Sequence, residues 1–154
     1  MENERLKNSM KSNESANQPH FNEIGQYSRR NNISIEGIED SETEHYTETS
    51  EKFIQTLNAH IPELNLTKSD IDISHRLGPF QPQKERPIIV KMVSRMRRNQ
   101  IMQAAKILRT KPKPVYVNDH LTRTNAEVFA CVRKKTVRYC EIVMEERELF
   151  STET

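Results

Sequence analysis

The sequence predicts an α+β fold, a four-stranded antiparallel sheet with two helices on one face and an extra C-terminal helix. Three observations predict it. Four short stretches alternate apolar and polar residues or run apolar for a few positions, as strands do. Two stretches between them carry apolar residues at helical spacing. The order is β-α-β-β-α-β, with a further helical pattern after the last strand.

Residues 1–20 are polar, with scattered charges and no sustained heptad, and read as a disordered tail. Phe21, Ile24 and Tyr27 recur three apart, so 21–30 reads as a short helical lead-in, weakened by Gly25. The sheet domain spans 31–120. In "NNISIEGI", Ile33 and Ile35 point one way and Asn32, Ser34 and Glu36 the other, which predicts a half-buried strand ended by Gly37. The next segment offers N-cap chemistry at Ser41, Thr47 or Thr49. Phe53, Ile54, Leu57 and Ile61 then mark a helical face that Pro62 stops. "SDIDISHRLG" is a second strand, with Ile71, Ile73, His75 and Leu77 on one side and Asp72, Ser74 and Arg76 on the other. After a proline-broken loop, "RPIIVKMV" is apolar on both faces and suits a central strand. Ser94 stands at the start of a second helix with Ile101, Ala104, Ala105 and Leu108 at i, i+3, i+4 and i+7. "KPKP" breaks it, and "VYVN" is a fourth strand. Residues 121–154 hold a helix from about Thr122 to Glu141, with Val128, Val132 and Tyr139 on one stripe, and a tail. This element order is the ferredoxin-like βαββαβ plan. RNA-recognition-motif domains share it and bind single strands on the sheet face that the helices leave open.

The formal net charge is only +2, yet the charges are segregated. Glu36 to Asp72 holds ten acids against Lys52 and Lys68, a net −8, and Lys84 to Lys113 holds ten bases against Glu85, a net +9. A basic stretch on one side of a compact domain is the footprint of phosphate binding. With Ile33, Ile73, Val90 and Val117 turned to the helices, the alternation puts Ser34, Ser74, Arg76, Lys91 and Tyr116 on the open face. Typical RNA-recognition motifs stack bases on two or three aromatics there, whereas this face offers only Tyr116. Binding dominated by the phosphate backbone, and tolerant of sequence, is the expectation. For Arg76 and Lys91 the competing reading is cross-strand pairing with Asp72 or Glu36. Asn31 and Asn32 either hydrogen-bond sugar or phosphate or shape the turn into the first strand.

Four segments, "QYSRRNNISIEGI", "DIDISHRLG", "RPIIVKMVSRMRRNQIMQAAK" and "VYVNDHLTRTNAEVF", occur in that order. Together they resemble the blocks of the first open-reading-frame protein of LINE-type (non-LTR) retrotransposons. They are also similar to the baculovirus few-polyhedra protein and its insect relatives. The resemblance covers about Tyr27 to Arg138, and S-R-R-N-N and H-R-L-G are its most specific parts. It implies an atypical RNA-recognition-motif fold, binding of single-stranded RNA or DNA, and nucleic-acid chaperone activity. By position, it places the grip on the strand at Arg29, Arg30, Arg76, Arg86, Lys91, Arg95, Arg97 and Arg98. Asn32 and Tyr116 complete the expected site. Relatives carry an upstream coiled coil that trimerises them and a small C-terminal clamp domain. This sequence has almost none of the first, and "CEIVMEERELFSTET" turns acidic where the second is expected.

No enzyme, metal or cofactor is expected. The five histidines have no partners at zinc spacing, and no glycine loop cradles a phosphate. His75 reads as a core histidine. Cys131 and Cys140, nine apart, fall on nearly opposite helix faces and read as free thiols. With no apolar run of membrane length and no apolar leader, an intracellular protein in a cytoplasmic ribonucleoprotein or the nucleus is expected. The alternative function is a protein-interaction or self-assembly domain, with a second copy of the chain as partner and no nucleic acid bound. Neither a membrane nor a small-molecule substrate is expected as a partner.

Overall fold

The computed structural model describes residues 2–136. In chain order these form α1 (Glu2–Ser28), β1 (Asn32–Glu36), α2 (Tyr46–His60), β2 (Ile71–Arg76), β3 (Ile88–Met92), α3 (Arg95–Arg109) and β4 (Tyr116–Asp119). A further helix, α4, covers 123–136. The fold is α+β, with one four-stranded antiparallel sheet in the order β2-β3-β1-β4. No described helix is long and apolar enough to cross a membrane. Two compact units are present: the described residues up to Glu23 together with those from Leu121, and Ile24–His120.

The first unit corrects one expectation. Residues 2–20 lie in a helix instead of a disordered tail. Glu, Arg, Leu, Lys and Met all favour helix. The apolar residues mark no buried stripe, since Leu6 and Met10 are both exposed, so a search for periodicity passes over the segment. Pro19 sits inside α1, where its missing N–H leaves one helical bond unmade. Thr122 caps α4: the Asn125 backbone N–H donates to Thr122 Oγ1 at 3.3 Å. Thr122 Oγ1 donates to Asn22 Oδ1 at 2.6 Å, and Asn22 Nδ2 donates to Asn125 Oδ1 at 3.0 Å. Val128 and Val132 are exposed, as is Cys131. Tyr139, Cys140 and the expected end of the helix at Glu141 lie outside the described residues.

In the second unit, α2 and α3 pack on one face of the sheet and share a single core with it. Phe53 and Leu57 of α2 and Ile101 and Leu108 of α3 are buried together with Ile33, Ile35, Ile88, Val90 and Val117 of the strands. The helical spacings at 53–57 and 101–108 therefore mark the buried stripes they predict. Ser94 occupies the N-cap of α3, yet its side chain makes no capping bond. At α2 the N-cap is His45, whose backbone N–H donates to Glu48 Oε2 at 3.4 Å.

One strand is turned over relative to expectation. Ser74 is fully buried, and its hydroxyl meets that of Ser50 on α2 at 2.7 Å. Ile73 is 51% exposed, and His75 and Leu77 are also exposed. A register irregularity between Ile71 and Ile73 inserts one residue and inverts the facing of everything after it. Ser74 and Arg76 thus face the helices, and Ile73 and His75 share the open face with Ile89, Lys91 and Ser34. His75 is not a core histidine.

Gly37 ends β1 at φ +92°, and a Cβ there would stand 2.5 Å from the Pro114 carbonyl oxygen. Gly78 has φ +82° and open space around it. Gly37→Ala is expected to lose about 1–3 kcal/mol from backbone strain alone, and more from the backbone clash. Gly78→Ala is expected to lose no more than the strain component, about 1–2 kcal/mol. Urea unfolding of the two variants measures the difference.

Candidate nucleic-acid interface

The strand pairings assign the open face rung by rung. Ile73, Lys91 and Asn32 lie opposite one another across β2, β3 and β1. His75, Ile89, Ser34 and Asn118 form the next rung, and Glu36 faces Tyr116 across β1 and β4. The antiparallel topology brings the start of β1, the ends of β3 and β4 and the start of β2 to one end of the sheet. Arg29, Arg30, Lys91, Arg95 and His120 gather there. The opposite end carries Glu36, Glu39, Asp40 and Glu85 beside Arg76, Arg86 and Lys84. The open face is thus basic at one end and mixed, with an acidic excess, at the other.

Each expected site residue can now be placed. Arg76 is not on the open face. Its side chain is 3% exposed, and every nitrogen is engaged. Nε donates to Glu44 Oε1 at 2.9 Å and Nη2 to Glu44 Oε2 at 3.2 Å. Nη1 donates to the carbonyls of Ile38 and Arg86, both at 2.9 Å, and Nη2 also reaches that of Glu39. Arg86 forms a two-pronged pair with Asp40, Nε to Oδ2 at 2.8 Å and Nη2 to Oδ1 at 3.0 Å. Lys52 and the Thr49 hydroxyl close the shell around Glu44. Arg97 grips Asp70 in the same two-pronged way, at 2.9 and 3.0 Å. Arg98 pairs with Asp119, its Nε buried without a hydrogen-bond partner. Arg86 and Arg97 therefore join the acidic stretch of the chain to the basic one, and Arg76 and Arg98 are paired with Glu44 and Asp119. The role in gripping a strand expected for Arg76, Arg86, Arg97 and Arg98 does not fit this geometry.

The remaining cations differ. Lys91 meets Asp72 at 2.6 Å, the competing reading of the sequence, but both side chains are about half exposed, so the pair is weak. Arg29 donates to the Gly25 carbonyl at 3.1 Å, and Arg30 lies over the exposed Tyr27 ring at 4.0 Å. Arg95 is exposed. None of these three arginines has a carboxylate partner among the described residues. Asn32 Nδ2 lies 3.2 Å from His120 Nδ1. Asn32 thereby ties the start of β1 to the end of β4. Burial, Arg29 and His75 push the His120 pKa below its ordinary value. Tyr116 is 44% exposed, with the Arg109 guanidinium 6.0 Å from its ring centre. His75, Asn118 and Arg109 were not expected at this face. The pairing register alone reveals His75, since an inserted residue leaves no mark in an apolar-polar alternation, whereas Asn118 follows from the alternation that turns Val117 inward.

Three carboxyls carry the electrostatic load. A side-chain hydrogen bond from Arg86 holds Asp40 at about 2, and one from Arg97 holds Asp70 at about 2. Burial pushes Glu44 up, but hydrogen bonds from Arg76, Lys52 and Thr49 outweigh it and hold it at about 2. No family model matches the chain, and no curated protein matches it.

Because the folded-state values lie below the ordinary 3.8 and 4.5, these carboxylates give their full stabilisation above about pH 4.5. Stability is expected to fall steadily as pH drops from there towards 2, read as a shrinking urea midpoint. Arg76→Ala removes the two-pronged partner of the buried Glu44 and the donor to three carbonyls, and is expected to lose about 3–5 kcal/mol. Lys91→Ala is expected to lose less than about 1 kcal/mol in the same measurement.

Proposed function

We propose that the sheet unit is an atypical RNA-recognition motif of the LINE first open-reading-frame type, and that it binds single-stranded nucleic acid, RNA foremost, across its open face in a sequence-tolerant, chaperone-like manner. The observation that carries this reading is the gathering of Arg29, Arg30, Lys91 and Arg95, from three separate segments, at one end of an exposed sheet face. Only Lys91 among them is matched by a carboxylate, and that pair is solvent-exposed. The strand order β2-β3-β1-β4, with both helices in one core, supports the ferredoxin-like plan. The Arg30–Tyr27 stack and Tyr116 supply flat surfaces for bases in place of the usual central aromatics. Asn118, Ser34 and His75 offer hydrogen bonds between them. The self-assembly reading has less support, because three pairs, at Arg86, Lys91 and Arg97, already join the acidic and basic stretches within the chain.

About four phosphate contacts predict a slope of log affinity against log salt of roughly −2 to −3 for a single strand. Arg29→Glu, Arg30→Glu and Arg95→Glu together are expected to abolish binding to an oligo-U at about 50 mM salt without lowering the urea midpoint. Fluorescence anisotropy reads the salt slope and the affinity, and urea unfolding reads the midpoint. Unchanged affinity in the triple variant, or no binding by the native chain at low salt, counts against this function.

A further inference from the structure

At the acidic end of the sheet a cleft of about 580 Å³ opens between the end of β1, the β2–β3 loop and β4. Its volume lies within the range of roughly 300–1,000 Å³ in which small-molecule-sized groups bind. Glu36, Glu39 and Glu85 line it with Lys84, and Phe80 and Tyr116 give it two aromatic walls. Asp40 also borders it but is occupied by Arg86.

We propose that this cleft takes one unstacked base of the bound strand and favours guanine, with Tyr116 stacking on the base and Glu36 accepting its Watson–Crick N–H groups. This inference rests on the function proposed above and adds a preference at one position to otherwise tolerant binding. Glu36 and Tyr116 are direct partners across β1 and β4. Opposite residues on one sheet face bring their side chains within about 4.5–5.5 Å at Cβ. A base stacked on the Tyr116 ring therefore presents its edge to the Glu36 carboxylate. Glu36 is exposed and has no ion-pair partner among the described residues.

The chemistry of the wall selects the base. An ionised carboxylate only accepts hydrogen bonds, through two oxygens side by side. Guanine alone presents two neighbouring donors on its Watson–Crick edge, N1–H and the N2 amine. Adenine and cytosine set one amine beside an acceptor nitrogen, and uracil sets one N–H between two carbonyls, which the carboxylate repels. Three glutamates also repel phosphate, so the sugar-phosphate chain stays at the mouth and the base points inward. The Arg109 guanidinium near the Tyr116 ring is placed to meet the phosphate of that nucleotide.

The test compares a ten-nucleotide oligo-U with the same oligomer carrying one central guanine or one central adenine, by anisotropy on the full chain. The guanine oligomer is expected to bind roughly ten-fold tighter than oligo-U, the scale of one two-pronged base contact. The adenine oligomer is expected to gain much less. In Glu36→Gln the guanine-to-uracil ratio is expected to fall to about one, and in Tyr116→Leu to fall with it; circular dichroism checks that both variants fold. Equal affinity for all three oligomers overturns the guanine preference and leaves nucleic-acid binding standing. A preference that survives Glu36→Gln overturns the assignment to Glu36. Binding of an oligo-arginine peptide that weakens in Glu36→Gln, with no guanine preference, gives the cleft to a cationic partner and overturns the proposal. No binding of any oligomer at low salt overturns the parent reading and this inference together.

Discussion

The buried ion network around Glu44 is the constraint on which the rest of the sheet unit depends. Arg76 at the end of β2 reaches across to Glu44 and to the carbonyls of Ile38 and Glu39, while Arg86 before β3 holds Asp40. The β1–α2 connection is long and irregular, and its carbonyls would be stranded without such donors. One guanidinium satisfies two of them, the carbonyl of Arg86 and a carboxylate at once. This matches the planar, many-donor geometry of arginine and would be beyond a lysine. The network also fixes which way β2 faces, because Arg76 can reach Glu44 only from the helix side of the sheet.

That arrangement redefines what the charge segregation of the sequence means. A chain that runs from net −8 to net +9 suggests a molecule with two charged poles. Folding brings the halves together: Glu44 and Asp40 meet Arg76 and Arg86, and Asp70 and Asp72 meet Arg97 and Lys91. Much of the segregated charge is spent on joining elements distant in sequence. What remains available to a partner includes the cations where β1 begins and β3 ends, Lys106, Arg109 and Lys113 at and beyond the end of α3, and a carboxylate-rich cleft at the other end of the sheet face.

Much of the fold was legible in the sequence because periodic burial leaves a periodic trace. The stripes of α2 and α3 and the central strand "RPIIVKMV" read correctly, since both faces of Ile88–Val90 are buried. The facing of β2 was not legible. Ile73 and His75 alternate as cleanly as core residues do, and only the inserted residue at Ile71–Ile73, with a serine small enough to lie under α2, turns them outward. The site suffered more than the fold. An arginine in a strand looks the same in sequence whether it awaits a phosphate or binds a glutamate thirty-two residues away. Arg30 and Arg95 are exposed and Arg29 is half-buried, and all three stand at the ends of elements and not inside the sheet.

The irregularity in β2 has a second consequence, for solubility. β2 is an outer strand of the sheet, and an outer strand is a template on which another chain can add its own. The inserted residue interrupts the regular row of amides along that strand, and the neighbouring Asp72 and Lys91 place charge beside it. An incoming extended segment would find the spacing broken at Ile71–Ile73 and only the four residues Ile73–Arg76 in regular register. The same bulge that turns Ile73 and His75 to solvent thus guards this border against end-on-end fibre growth.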